Sequence, residues 1–446
     1  MSDSLHILPP HVLSPHILIV ADQASTRRGG EAILPYHYFR LLRQRGVDVR
    51  LVVHERTREE LLELFPEDGD RLYFIADPPW HIRIWKLGSK LPSRVATFTT
   101  GFVLDWLTQR YQKALIKQLI QEHDIQVVHQ PTPVSPKLPS QIYGLGVPVV
   151  IDPMNGAMDY PTAFRQKQSW LQDAFIQVAR QFSGVINTLI PGKKEAAILL
   201  VANARTCDAL PKGRKGTVIE VVENGVDLSL WAQEGDGSAS APAQLSEETN
   251  QRAVTQFIFM GRLVDWKAID LLLLAFQKAS QSAPIALKLI GDGDVKASLE
   301  QQAKALQVWA EPALTADPGK VQFMGWMAQK DCAHALQQSD ALILPSLLEC
   351  GGAVVLEAMA CRLPVIATRW GGPVDYLDDS CGILVDPSSR AAFIDGLAAA
   401  MVTLAHDPFL KQQMGQAGYA KVQEKFDWNT KIDAILAIYR QAIHAA

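Results

Sequence analysis

The chain has 446 residues, of which 48% are hydrophobic and 20% are charged, and its formal net charge at pH 7 is −4. This length suffices for two domains with separate cores, and the mildly acidic balance argues against a dedicated nucleic-acid-binding protein. Five scattered cysteines without a CxxC pair indicate neither a disulfide framework nor a zinc site. The start, MSDSLHILPPHVLSP, lacks the features of a signal peptide, and no apolar run reaches 18 residues. We therefore expect a cytoplasmic protein.

The first half of the chain alternates short β-branched runs with longer helical patterns. Helices are predicted over Glu31–Arg45, Phe98–Glu122 and Phe164–Gln181. Seven runs are predicted as strands, over residues 16–20, 47–53, 71–75, 125–129, 147–151, 184–188 and 217–222. Strands made of continuous apolar residues are typical of a parallel sheet that helices cover on both faces.

A small, polar stretch at residues 235–250, GDGSASAPAQLSEETN, predicts a linker. After it the alternation restarts, with strands predicted over residues 257–261, 286–291, 321–325, 341–346, 364–368 and 382–386. The predicted fold class is α/β, with two Rossmann-like, doubly wound parallel-sheet domains that face a cleft. The expected bounds are a first domain at 1–228, a linker at 229–252, a second domain at 253–427, and a last helix at 428–446 that returns to the first domain.

Glu349 and Glu357 lie eight residues apart in the segment ECGGAVVLE. Gly351 and Gly352 follow the first Glu, and a helix is predicted from Ala353. A helix start offers free N–H groups and a partial positive charge, which suits a phosphate. Two carboxylates beside it can accept hydrogen bonds from vicinal hydroxyls, so the segment predicts a nucleotide-sugar site. The alternative is that both carboxylates are solvated charges at a helix end.

Arg262 and Lys267 lie in the segment GRLVDWK, directly after a predicted strand. An arginine fork and a lysine ammonium that converge suit a diphosphate. The alternative is a surface salt bridge to Asp265 or Asp270.

Four further residues end predicted strands or open helices. Gly325, in FMGWM, would let backbone groups contact a nucleobase edge. Gly29 and Gly30 open a helix after the first strand and would allow a close backbone approach to phosphate or sugar. His129 ends the strand IQVVH, where its ring can point toward a ligand. The alternative for His129 is a structural histidine.

Residues 78–117 form a basic-aromatic stretch. Tryptophans and phenylalanines interleave there with Arg83, Lys86, Lys90, Arg94, Arg110, Lys113 and Lys117. Such a stretch can lie on an anionic membrane surface. The alternative is a helix that buries its aromatic side chains and solvates its charges.

With these pieces in this order, the chain resembles the family-4 (group 1) glycosyltransferases, which are retaining enzymes with the GT-B fold. The resemblance extends from about His16 to Tyr439. The resembling segments are residues 29–30, 127–131, 221–227, 261–267, 289–293, 342–372 and 382–386.

The resemblance implies a role for each matching residue of the second half. Arg262 and Lys267 would bind the donor diphosphate and neutralise it as it leaves. Glu349 would contact hydroxyls of the transferred sugar, helped by backbone amides near Gly351 and Gly352. Glu357 would hold the ribose hydroxyls of the donor. The chain departs from the family's usual Gly-Phe-Gly after the first Glu, since Cys350-Gly351-Gly352 stands there.

The resemblance also implies roles in the first half. His129, counted with Arg262, Lys267 and Glu349 as catalytic, would lie beside the transferred sugar and the acceptor. Gly29 and Gly30 would shape the acceptor side of the donor site. Asn155, in the segment DPMNGAMDYP, would reach the donor or the acceptor.

The implied activity is transfer of a sugar from a nucleoside-diphosphate sugar to a hydroxyl acceptor with retention of configuration, in polysaccharide or glycolipid synthesis. No cofactor, no metal and no nucleic-acid partner are expected. The expected partners are the nucleotide-sugar, a lipid-linked or saccharide acceptor and an anionic surface at the inner face of the membrane. A nucleotide-sugar epimerase of the same fold is the alternative enzyme, and a non-catalytic nucleotide-sugar binder is a further one.

Overall fold

The computed structural model describes residues 15–27, 30–89, 97–167, 184–232, 254–311 and 317–446. The chain divides into two compact units. The first comprises Met1–Ala157, Trp170–Glu223 and Ile432–Ala446, and the second comprises Met158–Ser169 and Asn224–Lys431. Most of the predicted linker lies outside the described residues, so the domain bounds given above stay a prediction.

The first unit is built on a parallel seven-stranded sheet, in the order β3-β2-β1-β4-β5-β6-β7. Its strands are β1 (Ile17–Val20), β2 (Val49–His54), β3 (Leu72–Ile75), β4 (Val127–Gln130), β5 (Val149–Met154), β6 (Ile198–Val201) and β7 (Thr217–Glu220). Ile17 pairs with Val49 on one side and with Val127 on the other. Every residue of β1 is buried, as expected for a central strand that helices cover on both faces.

The helices of the first unit connect these strands. They are α1 (Ile33–Gln44), α2 (Arg58–Leu64), α3 (Pro79–Gly88), α4 (Phe102–His123), α5 (Gly192–Glu195) and α6 (Ala204–Asp208). The helix predicted over Phe164–Gln181 is described only as a short 3-10 segment at Thr162–Lys167. The rest of that prediction lies outside the described residues.

One strand prediction in this unit is wrong. The sequence predicts a strand over residues 184–188, but residues 184–189 are helical. The strand is β6 instead, whose sequence ILLV is apolar at every position and fully buried. The segment GVINT contains Asn187 and leaves Val185 exposed, so it cannot fill a position that is buried on both faces of a sheet.

The second unit is built on another parallel seven-stranded sheet, in the order β10-β11-β9-β8-β12-β13-β14. Its strands are β8 (Thr255–Met260), β9 (Ile285–Ile290), β10 (Trp309–Ala310), β11 (Val321–Gly325), β12 (Ala341–Leu344), β13 (Val365–Thr368) and β14 (Gly382–Val385). All six predicted strands of the second half are confirmed. The structure adds one strand, β10, which was not predicted because it has only two residues.

The remaining helices complete the chain. They are α7 (Leu228–Trp231), α8 (Ile269–Ser280), α9 (Lys296–Ala305), α10 (Gln329–Gln337), α11 (Ala353–Ala360), α12 (Pro373–Tyr376), α13 (Arg390–His406), α14 (Pro408–Lys425) and α15 (Trp428–His444). In the described part of the chain, no single helix is long and apolar enough to cross a membrane. The pair α13 and α14 passes that test only together and bends by 102° between its members.

In both sheets all strands run in parallel, so their carboxyl ends meet at one edge of each sheet. Loops that follow neighbouring strands are therefore brought together in space, however far apart they are in sequence. In the second sheet this edge carries, in spatial order, the loops after β11, β9, β8, β12 and β13. Ligands of open α/β sheets bind at such an edge.

Candidate functional site

The second unit brings Lys267 and Glu349 into direct contact. Lys267 ends a 3-10 turn after β8, and Glu349 lies in the loop after β12. Since β8 and β12 are neighbours, the two loops meet, and the Lys267 ammonium donates a hydrogen bond to the Glu349 carboxylate. The two side chains are only 14% and 15% exposed. The backbone N–H of Leu347 donates to the carbonyl of Trp266 at 2.8 Å, which holds the loops in this register.

Arg262 lies at the same edge, two residues after β8, and is exposed. Within the described ranges its guanidinium has no hydrogen bond and no ion pair. The alternative salt bridges considered from the sequence are not formed, because Asp270 pairs with Arg390 at 3.4 Å and Lys267 pairs with Glu349. Arg262 is thus a cation that is available to a ligand.

The glycines after Glu349 are required by the geometry of its loop. Gly352 has a φ of +84°, and a Cβ there would lie 3.1 Å from Cγ of Glu349. The turn at Gly371 and Gly372 packs against the same loop, and the N–H of Gly372 donates to the carbonyl of Glu349 at 2.7 Å. A Cβ on Gly372 would lie 2.2 Å from the carbonyl oxygen of Gly351. Glu349 is therefore held by backbone packing at the N-terminus of α11.

Glu357 lies in the second turn of α11 and is partly buried. Burial raises the pKa of its carboxyl to about 8, because the charged form loses hydration there. Across the part of the chain that the structure describes, this carboxyl has neither a hydrogen-bond partner nor an ion-pair partner. Hydroxyl groups of a ligand would supply the hydrogen-bond donors that the Glu357 carboxyl lacks.

Backbone packing also brings the ends of β8, β9 and β11 close together. A Cβ on Gly291 would lie 1.9 Å from the carbonyl oxygen of Gly261, so the two turns touch through their backbones. Gly325 has a φ of +74°, and no atom lies within 4 Å of the position of its missing Cβ. Trp326 follows it and is 70% exposed. Sequence reasoning had singled out Gly325 but neither Gly261 nor Trp326.

His129, which is predicted to face a ligand, is enclosed by protein groups in this structure. Its ring is fully buried in the first unit. Nε2–H donates to the carbonyl of Asp152 at 3.2 Å, and the Tyr439 hydroxyl donates to Nδ1 at 2.7 Å. The ring of Tyr38 packs edge-on against it at 4.8 Å. Both ring nitrogens contact protein groups in this structure, and the ligand contact of His129 stays a prediction.

Asn155 is also buried and engaged. Its amide Nδ2 donates to Glu223 at 2.8 Å, and its Oδ1 accepts from Arg205 at 3.2 Å. It therefore joins the end of β5 to segments that follow β6 and β7, and the ligand contact predicted for it stays a prediction.

The two glycines of the first unit differ in what the structure describes. Gly29 lies outside the described residues. Gly30 is exposed, has a φ of +60° and has open space around the position of its missing Cβ.

A cavity of about 440 Å³ lies at the carboxyl edge of the first sheet. Asp22 follows β1, Arg56 follows β2 and Thr132 follows β4, and all three line it together with Glu31 and Thr108. Its walls mix two carboxylates, one guanidinium and two hydroxyls, which suits a ligand rich in hydroxyl groups. The sequence signal for Asp22 and Arg56, a polar residue just after a buried strand, was present but was not used.

No metal site is evident in the described ranges, where no three His, Cys, Asp or Glu side chains are grouped to hold an ion. Asp48 is an acidic residue that pairs with arginine side chains. Its carboxylate accepts hydrogen bonds from Arg50 at 2.9 Å and from Arg71.

Residues 245–421 match the family model described as glycosyl transferases group 1. Among curated proteins, the chain is 33% identical over 231 residues to D-inositol 3-phosphate glycosyltransferase of Segniliparus rotundus, a match that covers 50% of this chain and 47% of that protein. It is 30% identical over 241 residues to alpha-maltose-1-phosphate synthase of Mycolicibacterium smegmatis, covering 53% and 59%. The chain thus spans about half the length of the curated relatives that it matches.

Solved structures are similar over nearly the whole chain. Sucrose-phosphate synthase from Thermosynechococcus elongatus aligns with a TM-score of 0.66 at 20% identity, covering 97% of this chain and 100% of that one. HepE from Anabaena in complex with UDP aligns with a TM-score of 0.61 at 16% identity, covering 95% and 99%. These likenesses show the fold, which is the two-domain GT-B arrangement of Rossmann-like sheets.

Proposed function

We propose that this chain, whose residues 245–421 belong to the group 1 glycosyltransferases, is an enzyme that moves a sugar from a nucleoside-diphosphate sugar to an acceptor hydroxyl. The observation that carries the proposal is the Lys267–Glu349 contact just before α11, at the sheet edge where Arg262 also follows β8. Cations, a helix start and a carboxylate at one edge match the needs of a diphosphate joined to a sugar.

The donor roles follow from the chemistry of each group. Arg262 and Lys267 would hold the diphosphate, and Glu349 would accept hydrogen bonds from hydroxyls of the transferred sugar. Glu357 would accept from the ribose hydroxyls, and the open backbone at Gly325 would face the base. HepE has been crystallised with UDP and with UDP-glucose, which makes UDP-glucose the first donor to test.

The proposed reaction keeps the anomeric configuration. In the transition state, positive charge develops on the sugar ring and negative charge on the leaving diphosphate, so preorganised cations at the diphosphate are the largest expected catalytic term. Removing one such cation is expected to cost about 2–4 kcal/mol of transition-state stabilisation. The acceptor attacks from the face that the diphosphate leaves, and a leaving-group oxygen takes the acceptor proton. This route requires neither a protein nucleophile nor a metal.

Because Lys267 and Glu349 contact each other, substitutions of the two residues are expected to affect ligand binding differently. Without Lys267 the diphosphate loses a cation, so turnover falls. With Glu349 replaced by glutamine, Lys267 loses its carboxylate partner but keeps its charge, so the diphosphate is still held and the sugar hydroxyls lose their acceptor. We therefore expect Lys267→Ala to weaken binding of UDP itself, and Glu349→Gln to affect UDP-glucose far more than UDP.

For the acceptor side we propose a hydroxyl compound of polysaccharide or glycolipid synthesis on the cytoplasmic face of a membrane. Gly29 and Gly30 would shape its binding site. His129 and Asn155 would act by positioning the strand ends around it, since their side chains are buried and engaged. The cavity lined by Asp22 and Arg56 is the proposed acceptor pocket.

The test is a thermal-shift panel of nucleotide-sugars followed by donor turnover with each stabilising donor. Arg262→Ala and Lys267→Ala should each lower turnover by about 10²-fold or more, and Arg262→Ala should leave the melting temperature without ligand nearly unchanged because Arg262 is exposed. Lys278→Ala is the matched control, because Lys278 is an exposed lysine of α8 that pairs with Asp395 at 2.8 Å, away from the site. Normal turnover in both site variants would refute the assignment.

Two further arms complete this test. Incubation with donor alone distinguishes the enzymes, because a transferase gives slow hydrolysis whereas an epimerase gives the epimeric donor. Activity that survives a divalent-cation chelator supports the metal-free route, and loss that added magnesium restores contradicts it.

A further inference from the structure

The outer face of α3 is unusually apolar and cationic at once. Ile82, Trp85 and Leu87 are 47%, 62% and 63% exposed. Arg83 and Lys86 are exposed between them, and no acidic residue occurs in Pro79–Gly88. We propose that this outer face of α3 docks the protein on an anionic lipid bilayer.

The spacing of these residues suits a helix that lies in the plane of a membrane surface. Ile82, Trp85 and Lys86 are three and four residues apart, so they lie on neighbouring turns of one side of the helix. The buried residues His81 and Gly88 lie opposite Arg83 and Lys86, so the basic side chains are at the centre of the exposed face and Trp85 and Leu87 are at its two flanks. Apolar side chains on such a helix enter the boundary between headgroups and acyl chains, and the basic ones reach lipid phosphates. Ten residues are too few to span a bilayer, so the helix binds at its surface.

A lipid surface fits this face better than a protein partner does. The centres of protein–protein interfaces are depleted in lysine, whereas here Lys86 lies between Trp85 and Leu87. An anionic membrane surface attracts each nearby basic side chain and tolerates the exposed tryptophan at headgroup depth. The combination of two cations, three apolar side chains and no acid therefore points to phospholipid headgroups.

Hydrogen bonds fix α3 to the wall of the cavity described above. Asp77, just before α3, accepts from His81 Nδ1–H and from His54 Nε2–H, both at 2.8 Å. His54 Nδ1 in turn accepts from Nε of Arg56 at 3.0 Å, and Arg56 lines the cavity. Docking through α3 would thus carry the cavity to the bilayer surface. On the proposed function, the acceptor is then a hydroxyl compound carried by a lipid.

The test is flotation of the full-length protein with vesicles of phosphatidylglycerol and phosphatidylcholine at low salt. The wild type should float with these vesicles and not with phosphatidylcholine alone. Two double variants test the apolar and the basic side chains separately: Trp85→Ala/Leu87→Ala and the charge-reversed Arg83→Glu/Lys86→Glu. The partition coefficient of each variant onto these vesicles should be at least roughly tenfold lower than that of the wild type. Phe409→Ala is the matched control, since Phe409 is an apolar side chain of the second unit that is 68% exposed, and its flotation should equal that of the wild type.

Three results would overturn the inference. They are absence of the wild type from the anionic vesicle fraction, equal flotation of the double variant, and self-association that the double variant abolishes without any vesicle binding, which would identify a second copy as the occupant. UDP-induced thermal shifts are measured on the same variants. A variant that keeps its UDP shift but no longer floats separates the docking surface from the donor site.

Discussion

At the scale of single residues, Glu357 combines a raised pKa with the absence of a polar partner in the described part of the chain. In the folded protein without ligand its pKa is about 8, against an ordinary value of 4.5. The Glu357 carboxyl therefore ionises at a lower pH in the unfolded chain than in the folded chain. Between pH 4.5 and pH 8 the folded state binds the additional proton, so the contribution of Glu357 to stability decreases as pH rises through this window.

The same shift predicts that donor binding releases a proton. Ribose hydroxyls that donate to Glu357 favour its carboxylate and lower its pKa in the complex, so affinity for UDP should rise with pH and level off above about pH 8. Calorimetric titration of UDP at pH 7 in two buffers of different ionisation enthalpy measures the released proton. In Glu357→Gln the release should vanish. A release of the same size in this variant would contradict the role of Glu357.

Gly371 allows a sharper test of how Glu349 is held. Gly371 has a φ of +72°, and a Cβ there would lie 2.4 Å from the carbonyl oxygen of Glu349. Gly319 has a φ of +71°, and its nearest atom would be Cβ of Ser280 at 3.9 Å. Both alanine variants bear the left-handed backbone cost of about 1 kcal/mol, but only Gly371→Ala must displace the Glu349 loop.

We therefore expect Gly371→Ala to lose a further 1–3 kcal/mol or so of unfolding free energy and most of its transfer activity, while Gly319→Ala keeps its activity. Urea unfolding and turnover of the two variants measure the difference. Equal losses of stability and activity in both would show that the packing of Gly371 on Glu349 is unimportant.

The sequence predicted some residue positions well and others poorly, for a physical reason. Lys267 and Glu349 were paired correctly in one site, because parallel strands bring their carboxyl ends together regardless of sequence distance. The burial of His129 was not predictable, because a position at the end of a strand does not reveal which groups cover the side chain. Its partner, Tyr439, is 310 residues away in the chain. The contact of Gly261 with Gly291 likewise depends on the register of two strands.

At the scale of elements, α15 is tied to the first sheet by that same hydrogen bond. The Tyr439 hydroxyl is fully buried and donates to His129 Nδ1 at 2.7 Å. Tyr439→Phe leaves a buried nitrogen without a donor, so it should lower the free energy of unfolding by about 1–3 kcal/mol. Hydrogen exchange of the β4 and α15 amides should accelerate accordingly.

Tyr419→Phe is the control for this prediction. Its ring packs on the Arg362 guanidinium at 4.4 Å, a contact that phenylalanine keeps, and its hydroxyl has no hydrogen bond among the residues that the structure describes. If both variants exchange their β4 amides at the rate of the wild type, the Tyr439–His129 bond does not hold α15.

Element types were predictable where one signal was strong. Continuous apolar runs such as FIFM in β8 and ALIL in β12 predicted buried parallel strands correctly. The segment GVINT has β-branched residues but lacks the two-sided apolar character of β6, and reading only the first property produced the wrong strand. Burial on both faces of the sheet therefore decides which segment forms the strand, and the β propensity of single residues does not.

At the scale of the whole molecule, the two units divide the chain into bodies with separate sheets. The proposed donor groups all lie in the second unit. A ligand that binds only the folded form at 100 times its dissociation constant stabilises that form by about 2.7 kcal/mol. We expect UDP to protect amides of residues 261–267 and 349–357 from hydrogen exchange. Protection limited to the first unit would contradict this placement of the donor.

The Lys267–Glu349 contact predicts which anions would bind at the proposed donor site. Without a ligand, the Lys267 ammonium already contacts the Glu349 carboxylate, so inorganic phosphate must compete with this carboxylate for the ammonium. Inorganic phosphate also supplies few hydrogen-bond donors to the displaced carboxylate. A sugar diphosphate compensates for the exchange, because its hydroxyls give the displaced carboxylate new donors. On the proposed function, the Lys267–Glu349 pair would therefore favour a sugar diphosphate over inorganic phosphate.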